Sequence, residues 1–279
     1  MSSEKIPAFG SKGYQSMRNN DFNPEGAIAE VIDNSIQAES KNIKIKIFQS
    51  VPPGKQKPRI NKIVIGDGGT GTDAKAIQYA LQVGWSTRYN DRKGIGRFGV
   101  GMTYGAISVC EFVEIHSREK GGNWQYTFLD IEDREDNQLP GIEPIIEKSP
   151  PKEYQELVGD YGTIVVWKDI DRIGLDFDID EFKHWLGRTY RKFIGNKILK
   201  NGNVVKNPNQ RNIYIQINGE ESKKINAFDP MYLIPEQFHI LPENEKSQFL
   251  EDITLEVDVS DIDAPTETIR KGKLTISIS

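Results

Sequence analysis

The sequence predicts an α/β (α+β) protein, in which helices alternate along the chain with the strands of a sheet. The first indication is a helix start at Asn23-Pro24-Glu25, where Asn is a favoured N-cap, Pro fits the first helical position and Glu suits the first turn. The second is the alternation of Ile43, Ile45 and Ile47 with lysines, which is typical of a half-buried strand. Similar helical and extended patterns continue to the end of the chain.

The remaining elements follow in order. The first helix should run from residue 23 to about Ser40, and the next two strands should form an antiparallel hairpin across a loop with the turn sequence Val51-Pro52-Pro53-Gly54. The second strand of this hairpin is predicted at 60–65. Further patterns predict helices at 73–83, 100–109 and 177–193, a glycine-rich loop at 84–101, and strands at 111–117, 124–131, 163–168, 212–217, 253–259 and 273–278. Because the last pattern reaches Ser279 without a terminating signal, we expect a fragment of a longer protein.

Composition narrows the class of protein. A chain of 279 residues with 37% hydrophobic residues can bury a large core, as one large domain or two. The sequence has no apolar run near the roughly 20 residues of a membrane span and no apolar signal region, so we expect no membrane partner. One cysteine and three histidines argue against a disulfide framework and a zinc site. A cytoplasmic location is the simplest expectation, or a nuclear one in a eukaryote.

Four polar residues of the first helix, Glu30, Asp33, Asn34 and Gln37, have the spacing i, i+3, i+4 and i+7 and therefore share one face. For an isolated helix, a solvated stripe is the simpler interpretation. However, a carboxylate and an amide oxygen one turn apart can face the same phosphate–metal cluster. The carboxylate can take a proton from an attacking water, and the amide oxygen is a hard ligand suited to magnesium.

A second motif, Asp67-Gly68-Gly69-Thr70-Gly71, follows the predicted strand at 60–65. Asp-Gly is a common turn signal, so a simple turn is one interpretation. Alternatively, the carboxylate accepts a hydrogen bond from a purine amino group, and glycines allow the backbone to approach the ring. A related position is Thr163, which begins a buried strand pattern and whose role depends on the other motifs.

The third motif places glycines at positions 94, 96, 99 and 101, directly before helix-compatible sequence. Exposed amides at a helix start bind anions, here phosphates, and a mobile glycine-rich segment can act as a lid. A plain flexible loop is the alternative. The sequence is not a Walker motif, and what precedes it is helix and loop, which excludes a dinucleotide-binding turn.

These motifs, in this order, resemble those of the GHKL ATPases, which include the gyrase B subunit, the ninety-kilodalton heat-shock chaperone, histidine kinases and MutL. The resemblance covers residues 24–170 and continues loosely to about 235. The local sequence is most similar to that of the Microrchidia (MORC) ATPases. The matching stretches are Ala27-Ile28-Ala29-Glu30-Val31-Ile32-Asp33-Asn34-Ser35, Gly84-Trp85-Ser86-Thr87 and Gly94-Ile95-Gly96-Arg97-Phe98-Gly99-Val100-Gly101-Met102.

The resemblance implies roles for individual residues. Glu30 would be the general base, Asn34 the magnesium ligand and Asp67 the adenine-reading residue, with ATP and Mg²⁺ as the implied ligands. Thr163 would support the adenine contact. The other implied nucleotide-binding residues are Gly69, Gly71, Lys93, Gly94, Gly96, Arg97, Phe98, Gly99, Val100, Gly101 and Met102.

The family fold is a Bergerat-type sandwich, in which helices back a mixed sheet, followed by a transducer region. The resemblance therefore divides the chain into an arm at 1–22, an ATPase domain at 23–195 and a truncated transducer-like region at 196–279. Family members commonly dimerise when ATP closes the lid, sometimes with an N-terminal arm crossing to the partner. Two departures are Thr103, where Microrchidia proteins usually carry lysine, and a transducer lysine that cannot be assigned.

The larger function is open at this point. The leading hypothesis is a magnesium-dependent ATPase whose nucleotide state controls dimer closure, acting as a clamp on DNA. The local evidence for DNA is the stretch 186–212, which contains no acidic residue and whose basic residues are interleaved with Tyr190 and Phe193. A solvated basic face is the simpler interpretation of that stretch, and the net charge of −5 argues against a generic polyanion binder. A heat-shock-type chaperone and a nucleotide-binding scaffold are alternatives. A histidine kinase is disfavoured, because no histidine precedes the first helix. The basic residues are Arg188, Arg191, Lys192, Lys197, Lys200, Lys206 and Arg211.

Overall fold

The chain contains both helices and strands, and most of the helices lie in its first 194 residues. The computed structural model describes residues 6–7, 18, 23–82, 101–131, 141–231, 233–234, 237, 248–258 and 269–278. The helices in these residues are α1 (Pro24–Gln37), α2 (Ala74–Ala80), α3 (Gly101–Val109), α4 (Lys152–Gln155), α5 (Ile179–Thr189) and α6 (Arg191–Ile194).

The strands in the described residues often follow one another without an intervening helix. They are β1 (Ile6–Pro7), β2 (Asn42–Ser50), β3 (Arg59–Asp67), β4 (Cys110–Arg118), β5 (Gln125–Asp130), β6 (Gly141–Ile142), β7 (Ile146–Glu147), β8 (Gly162–Ile170), β9 (Lys197–Lys200), β10 (Asn203–Lys206), β11 (Asn212–Ile217), β12 (Lys223–Lys224), β13 (Gln248–Asp258) and β14 (Ile269–Ile278).

Most strands in the described residues belong to one mixed sheet. Its strand order is β1-β6-β5-β4-β8-β3-β2-β11-β12, with β7 paired to β5. Strands β2 and β11 run parallel, and the other neighbouring pairs are antiparallel. The predicted hairpin is confirmed as the β2–β3 pair, in which Ile45 lies opposite Ile65. The predicted α/β fold with a mixed sheet backed by helices is therefore confirmed.

Both faces of the sheet are covered. On one face α1 buries Ile28, Val31 and Ile32, as the periodicity of its sequence requires. Side chains alternate between faces along a strand, so Val64 points to the other side from Ile65. There Val64 joins a cluster that includes Tyr154, which comes from α4. The site considered below lies on the face covered by α1.

Helices α1 and α3 pack closely because both carry small residues where they cross. A Cβ atom added to Gly105 would lie 2.9 Å from the Cα of Ala27, so a larger residue there would push the helices apart. This contact was not predicted, since Gly105 lies after the predicted motifs. The crossing fixes the start of α3 next to the middle of α1.

Helix α1 ends earlier than expected, at Gln37 instead of about Ser40. The amides of Glu39 and Ser40 donate to the carbonyls of Ile36 and Ser35, which is the hydrogen-bond pattern of a Schellman motif. Glu39 has φ 60°, in the left-handed region where glycine is usual. The carbonyl of Ala38 then accepts a bond from the Thr70 amide at 2.9 Å, so this helix end also holds the 67–71 turn.

Replacing Glu39 by glycine should stabilise the protein by roughly 0.5–1 kcal/mol, because glycine removes the steric cost of the left-handed conformation. Urea unfolding of Glu39→Gly and Glu39→Ala measures this effect. The alanine variant is the matched control, since it also removes the carboxylate but keeps the Cβ atom. Equal stability of the two variants would contradict the assignment of strain to this residue.

The chain divides into two compact units. One contains residues 1–182 and 211–225, and the other contains residues 183–210 and 226–279. The predicted boundary at 195/196 between ATPase domain and transducer-like region stays a prediction. The helix predicted at 177–193 is instead two helices, α5 and α6, separated at Tyr190. The β9–β10 hairpin was missed, although its turn Asn201-Gly202 has positive φ at both residues, as an Asn-Gly hairpin turn requires.

In the described part of the chain, no helix is long and apolar enough to cross a bilayer.

Candidate nucleotide site

The predicted site residues fall into two groups. The structure describes Glu30, Asn34, Asp67, Gly69, Gly71, Gly101, Met102 and Thr163. The predicted phosphate-loop residues Lys93, Gly94, Gly96, Arg97, Phe98, Gly99 and Val100 lie outside the described residues. Their roles stay predictions.

Asp67, Thr163 and Ser117 form one row across three neighbouring strands. Asp67 of β3 is the register partner of Thr163 of β8, and Thr163 is in turn the partner of Ser117 of β4. Residues directly opposite each other in a sheet point to the same face, so the three polar side chains lie side by side. The strand pairing thus brings together Asp67 and Thr163, which the sequence predicted separately.

Asp67 is a buried carboxylate held by two donors. It is 5% exposed, and its two oxygens accept bonds from the Ser35 hydroxyl and the Gly69 amide, each at 2.9 Å. Burial raises the pKa of Asp67, and these two hydrogen bonds offset part of the rise. Each carboxylate oxygen has a further lone pair, so Asp67 can also accept from a ligand amino group.

Ser117 joins the row to the loop that follows Asp67. Its hydroxyl accepts from the Thr72 amide at 3.0 Å, contacts the Thr163 hydroxyl at 2.9 Å and donates to the Gly162 carbonyl at 3.2 Å. A serine hydroxyl has one proton. When Ser117 donates this proton to the Gly162 carbonyl, the Thr163 hydroxyl must donate to Ser117. The lone pairs of the Thr163 hydroxyl then remain available to a ligand donor.

Gly71 brings the backbone of the turn against β4. It has φ +71°, and a Cβ atom there would overlap the Arg118 carbonyl. Both observations require glycine at this position. Gly69 is equally close-packed, because a Cβ atom there would lie 2.6 Å from the Ala38 carbonyl and 2.8 Å from Oδ1 of Asp67. The turn therefore lies tightly between the end of α1 and the end of β4.

Glu30 lies at the other end of the site, against the start of α3. A Cβ atom at Gly101 would overlap the Glu30 carboxylate, so a larger residue there would displace the end of this side chain. Gly101 is the last glycine of the predicted phosphate loop and the first residue of α3. The positive end of the helix dipole favours an anion at this position. The structure thus joins the first and third motifs through the Glu30–Gly101 contact.

The environment of Glu30 suits a proton acceptor. The side chain is partly buried, and this burial raises the pKa of Glu30 above its ordinary 4.5; the neighbouring Asp33 carboxylate raises it further. A higher pKa makes a carboxylate a stronger base near neutral pH. Asn34, one turn along α1, is exposed and lies on the same helix face.

If Glu30 is the base, the acid limb of the kcat–pH profile should have a pKa above 4.5, with activity falling as Glu30 is protonated. Replacing Asp33 by asparagine removes a like charge, so this limb should move to lower pH. Glu39→Gln is the matched control, because it removes an exposed carboxylate near the end of the same helix. If the acid limb stays at the same pH in Asp33→Asn, the group that titrates in this limb is not Glu30.

The oxygens of Asn34 and Glu30 fit a magnesium ion, since both are hard donors and magnesium keeps most of its own waters. Asn34 would hold the ion, and the ion would offset phosphate charge. Thr103, the departure from the Microrchidia pattern, is 1% exposed and donates to the Ala80 carbonyl at 3.1 Å. Its described contacts are those of a packing residue that joins α3 to α2.

Sequence reasoning missed Ser35 and Ser117. Ser35 could have been found, because it interrupts the apolar stripe of α1 as a buried polar residue beside Ile32 and Ile36. Ser117 had no comparable signal. It lies next to Thr163 because of the strand register, which could not be predicted from this sequence.

The predicted DNA-contacting stretch at 186–212 is only partly suited to that role. Arg188, Lys192, Lys200 and Lys206 are exposed. Tyr190, however, is 3% exposed, so it cannot stack on a base without a conformational change. Tyr190 is therefore a core residue, and its ring packs against Phe193.

Residues 22–159 match a family model described as Histidine kinase-, DNA gyrase B-, and HSP90-like ATPase. All the described site residues except Thr163 lie within the matched segment. No curated protein matches the chain.

Proposed function

Because residues 22–159 are similar to a GHKL-type ATPase domain, which binds and hydrolyses ATP, we propose that the chain is a magnesium-dependent ATPase. Its nucleotide state would control lid closure and dimerisation, and the dimer would act as a clamp on DNA, similar to the Microrchidia ATPases. The observation that carries this proposal is that α1 contacts both ends of the site, through Ser35 at Asp67 and through Glu30 at Gly101.

The adenine end is the row of Asp67, Thr163 and Ser117. A buried carboxylate reads an amino group well, because a ligand without that group leaves the carboxylate unsatisfied. Guanine presents a carbonyl where adenine presents its amino group, so Asp67 would repel it. Asp67 thus gives the site its preference for ATP.

The phosphate end is the start of α3. Glu30, next to Gly101, would take the proton from the water that attacks the terminal phosphate. Glu30 and Ser35 are five residues apart on one helix, which is about 7.5 Å along its axis. A rigid helix therefore fixes the base relative to the adenine end, and small shifts of α1 would change both.

The N-terminal arm contacts its own chain in the described residues. Strand β1 pairs with β6, and Arg18 is 6% exposed. The Arg18 guanidinium donates to the Ile107 carbonyl at 3.0 Å and pairs with Glu111 and Asp171. In the proposed cycle these contacts would hold the arm until closure, when it would cross to a partner chain.

DNA binding through the basic stretch should depend on the exposed lysines of the β9–β10 hairpin. We expect DNA affinity to fall with salt, with a log–log slope of about −0.9 per contacted phosphate. Reversing both charges in Lys200→Glu/Lys206→Glu should weaken binding. It should also make the log–log slope shallower by about 1.8, the value for two lost phosphate contacts. The measurement is a DNA titration at several salt concentrations.

The matched control is Lys223→Glu/Lys224→Glu, which makes the same charge change at exposed residues of β12, outside the stretch. Equal loss in both variants would point to net charge, and no loss in either would remove DNA from the proposal. Turnover measured with DNA and with an unfolded protein then separates a DNA clamp from a chaperone.

A further inference from the structure

A cavity of about 400 Å³ lies within the unit formed by residues 183–210 and 226–279. This volume falls in the range of small-molecule sites. The cavity shares no lining residue with the site at Glu30 and Asp67. Cationic side chains on one part of its lining come from Arg191, Lys192 and Lys197, and apolar ones come from Ile198, Leu233 and Ile234.

Gln237 lines this cavity and is 2% exposed. Its Nε2 donates to the Lys197 carbonyl at 2.8 Å. A carbonyl only accepts, so this bond fixes which end of the amide is the nitrogen. Among the described residues, Oε1 of Gln237 has no hydrogen-bond partner. A buried acceptor without a partner is costly, and a bound N–H or O–H group would satisfy it.

The walls of the cavity are held in place without a ligand. Asp229, 4% exposed, accepts from the backbone amides of Met231, Leu233 and Ile234. The Asp229 carboxylate is therefore occupied by backbone amides. The lining has three cationic side chains and one carboxylate, so its net charge is positive. Asn207 does not line the cavity, but its side chain donates to the carbonyls of Lys192 and Gly195 and so supports the end of α6, which carries the lining residues Arg191 and Lys192. Such preformed walls reduce the ordering cost of binding.

Three properties of the ligand follow from this lining: it is anionic, it has a flat or apolar part, and it presents a hydrogen-bond donor on that part. A fatty acid lacks the donor, and inorganic phosphate lacks the apolar part. A nucleoside phosphate has all three, because phosphate suits Arg and Lys, the base suits an apolar wall and a base amino group suits Oε1. We propose that this cavity is a second nucleotide site, which binds a nucleoside phosphate independently of the ATP site.

The proposal is tested with adenosine monophosphate in an Asp67→Asn background, which weakens the first site. Calorimetric titration should show binding that falls about tenfold or more in Arg191→Gln/Lys192→Gln. The control pair is Lys200→Gln/Lys206→Gln, which removes the same charge from the adjacent hairpin but does not line the cavity. It should bind as the background does.

The base contact has its own readout. Purine riboside monophosphate lacks the amino group and should bind more weakly than adenosine monophosphate, and this preference should disappear in Gln237→Leu. A short single strand of deoxyadenosine distinguishes the sources: if only the strand binds, through Arg191 and Lys192, the ligand is a nucleotide unit of nucleic acid.

Binding of both the monophosphate and the strand would establish a site open to either source. The proposal is overturned if neither binds up to about 1 mM, or if the cavity and control pairs lose affinity equally. These results leave the ATP site untouched, because turnover at Glu30 is measured separately. Failure of the second site and failure of the proposed ATPase function are therefore distinguishable.

Discussion

Glu30→Gln is expected to lower kcat for ATP hydrolysis by about 10²- to 10⁴-fold, the usual contribution of a general base. Glutamine keeps the shape of the side chain, which matters because the carboxylate lies against Gly101 with no room to spare. ATP affinity should change little, since the base acts on the attacking water. Phosphate release and equilibrium ATP binding, measured on the same preparation, separate the two effects.

The matched control for this variant is Glu25→Gln, which removes a carboxylate from the first turn of α1. It should hydrolyse ATP as the unmodified chain does. Normal turnover in Glu30→Gln would show that another group takes the proton. Loss of ATP binding in Glu30→Gln would instead show that Glu30 supports the site's structure.

Asp67→Asn should raise the Kd for ATP by about 10- to 100-fold, because a hydrogen bond to a charged group is worth roughly 1.5–3 kcal/mol. The amide has nearly the same shape: its oxygen can still accept from the Gly69 amide, and its NH2 group can donate to the Ser35 hydroxyl, which keeps its own bond to the Val31 carbonyl. The preference for ATP over GTP should also decrease, since an amide can donate to the guanine carbonyl. Titrations with both nucleotides measure the two quantities.

Ser35→Ala tests whether Asp67 must be held in place. Removing the 2.9 Å bond to Oδ2 of Asp67 should weaken ATP binding less than Asp67→Asn does. Ser108→Ala is the control, because in the described residues this buried serine of α3 donates to the carbonyl of Gly105 in its own helix. Unchanged ATP affinity in both Asp67→Asn and Ser35→Ala would remove the row from the adenine pocket.

Helices and strands were predicted well where the signal, such as an N-cap residue, lies within the element itself. Asn23 is observed as the N-cap of α1, with its side chain accepting from the Gly26 amide at 2.7 Å. Asp67 was placed correctly at the end of a strand, although β3 extends to include it. The end of α1 was missed because a glutamate, Glu39, occupies the left-handed position where glycine would have marked it.

Contacts between elements could not be predicted from one sequence. The row of Asp67, Thr163 and Ser117 depends on the order and register of three strands that are distant in sequence. The Glu30–Gly101 contact depends on how α1 crosses α3, and hence on Ala27 and Gly105. Motif resemblance grouped several of these residues, but it assigned no role to Ser35 or Ser117, whose hydroxyls bind residues of the row.

The proposed clamp mechanism requires ATP binding at this site to close the chain into a dimer. Sedimentation velocity of Glu30→Gln, with and without magnesium and ATP, tests this step most directly, because the variant should bind the nucleotide without consuming it. We predict a shift from monomer to dimer that requires both ATP and magnesium and is absent in Asp67→Asn. A monomer that persists while ATP binding is verified in the same sample would contradict the clamp mechanism.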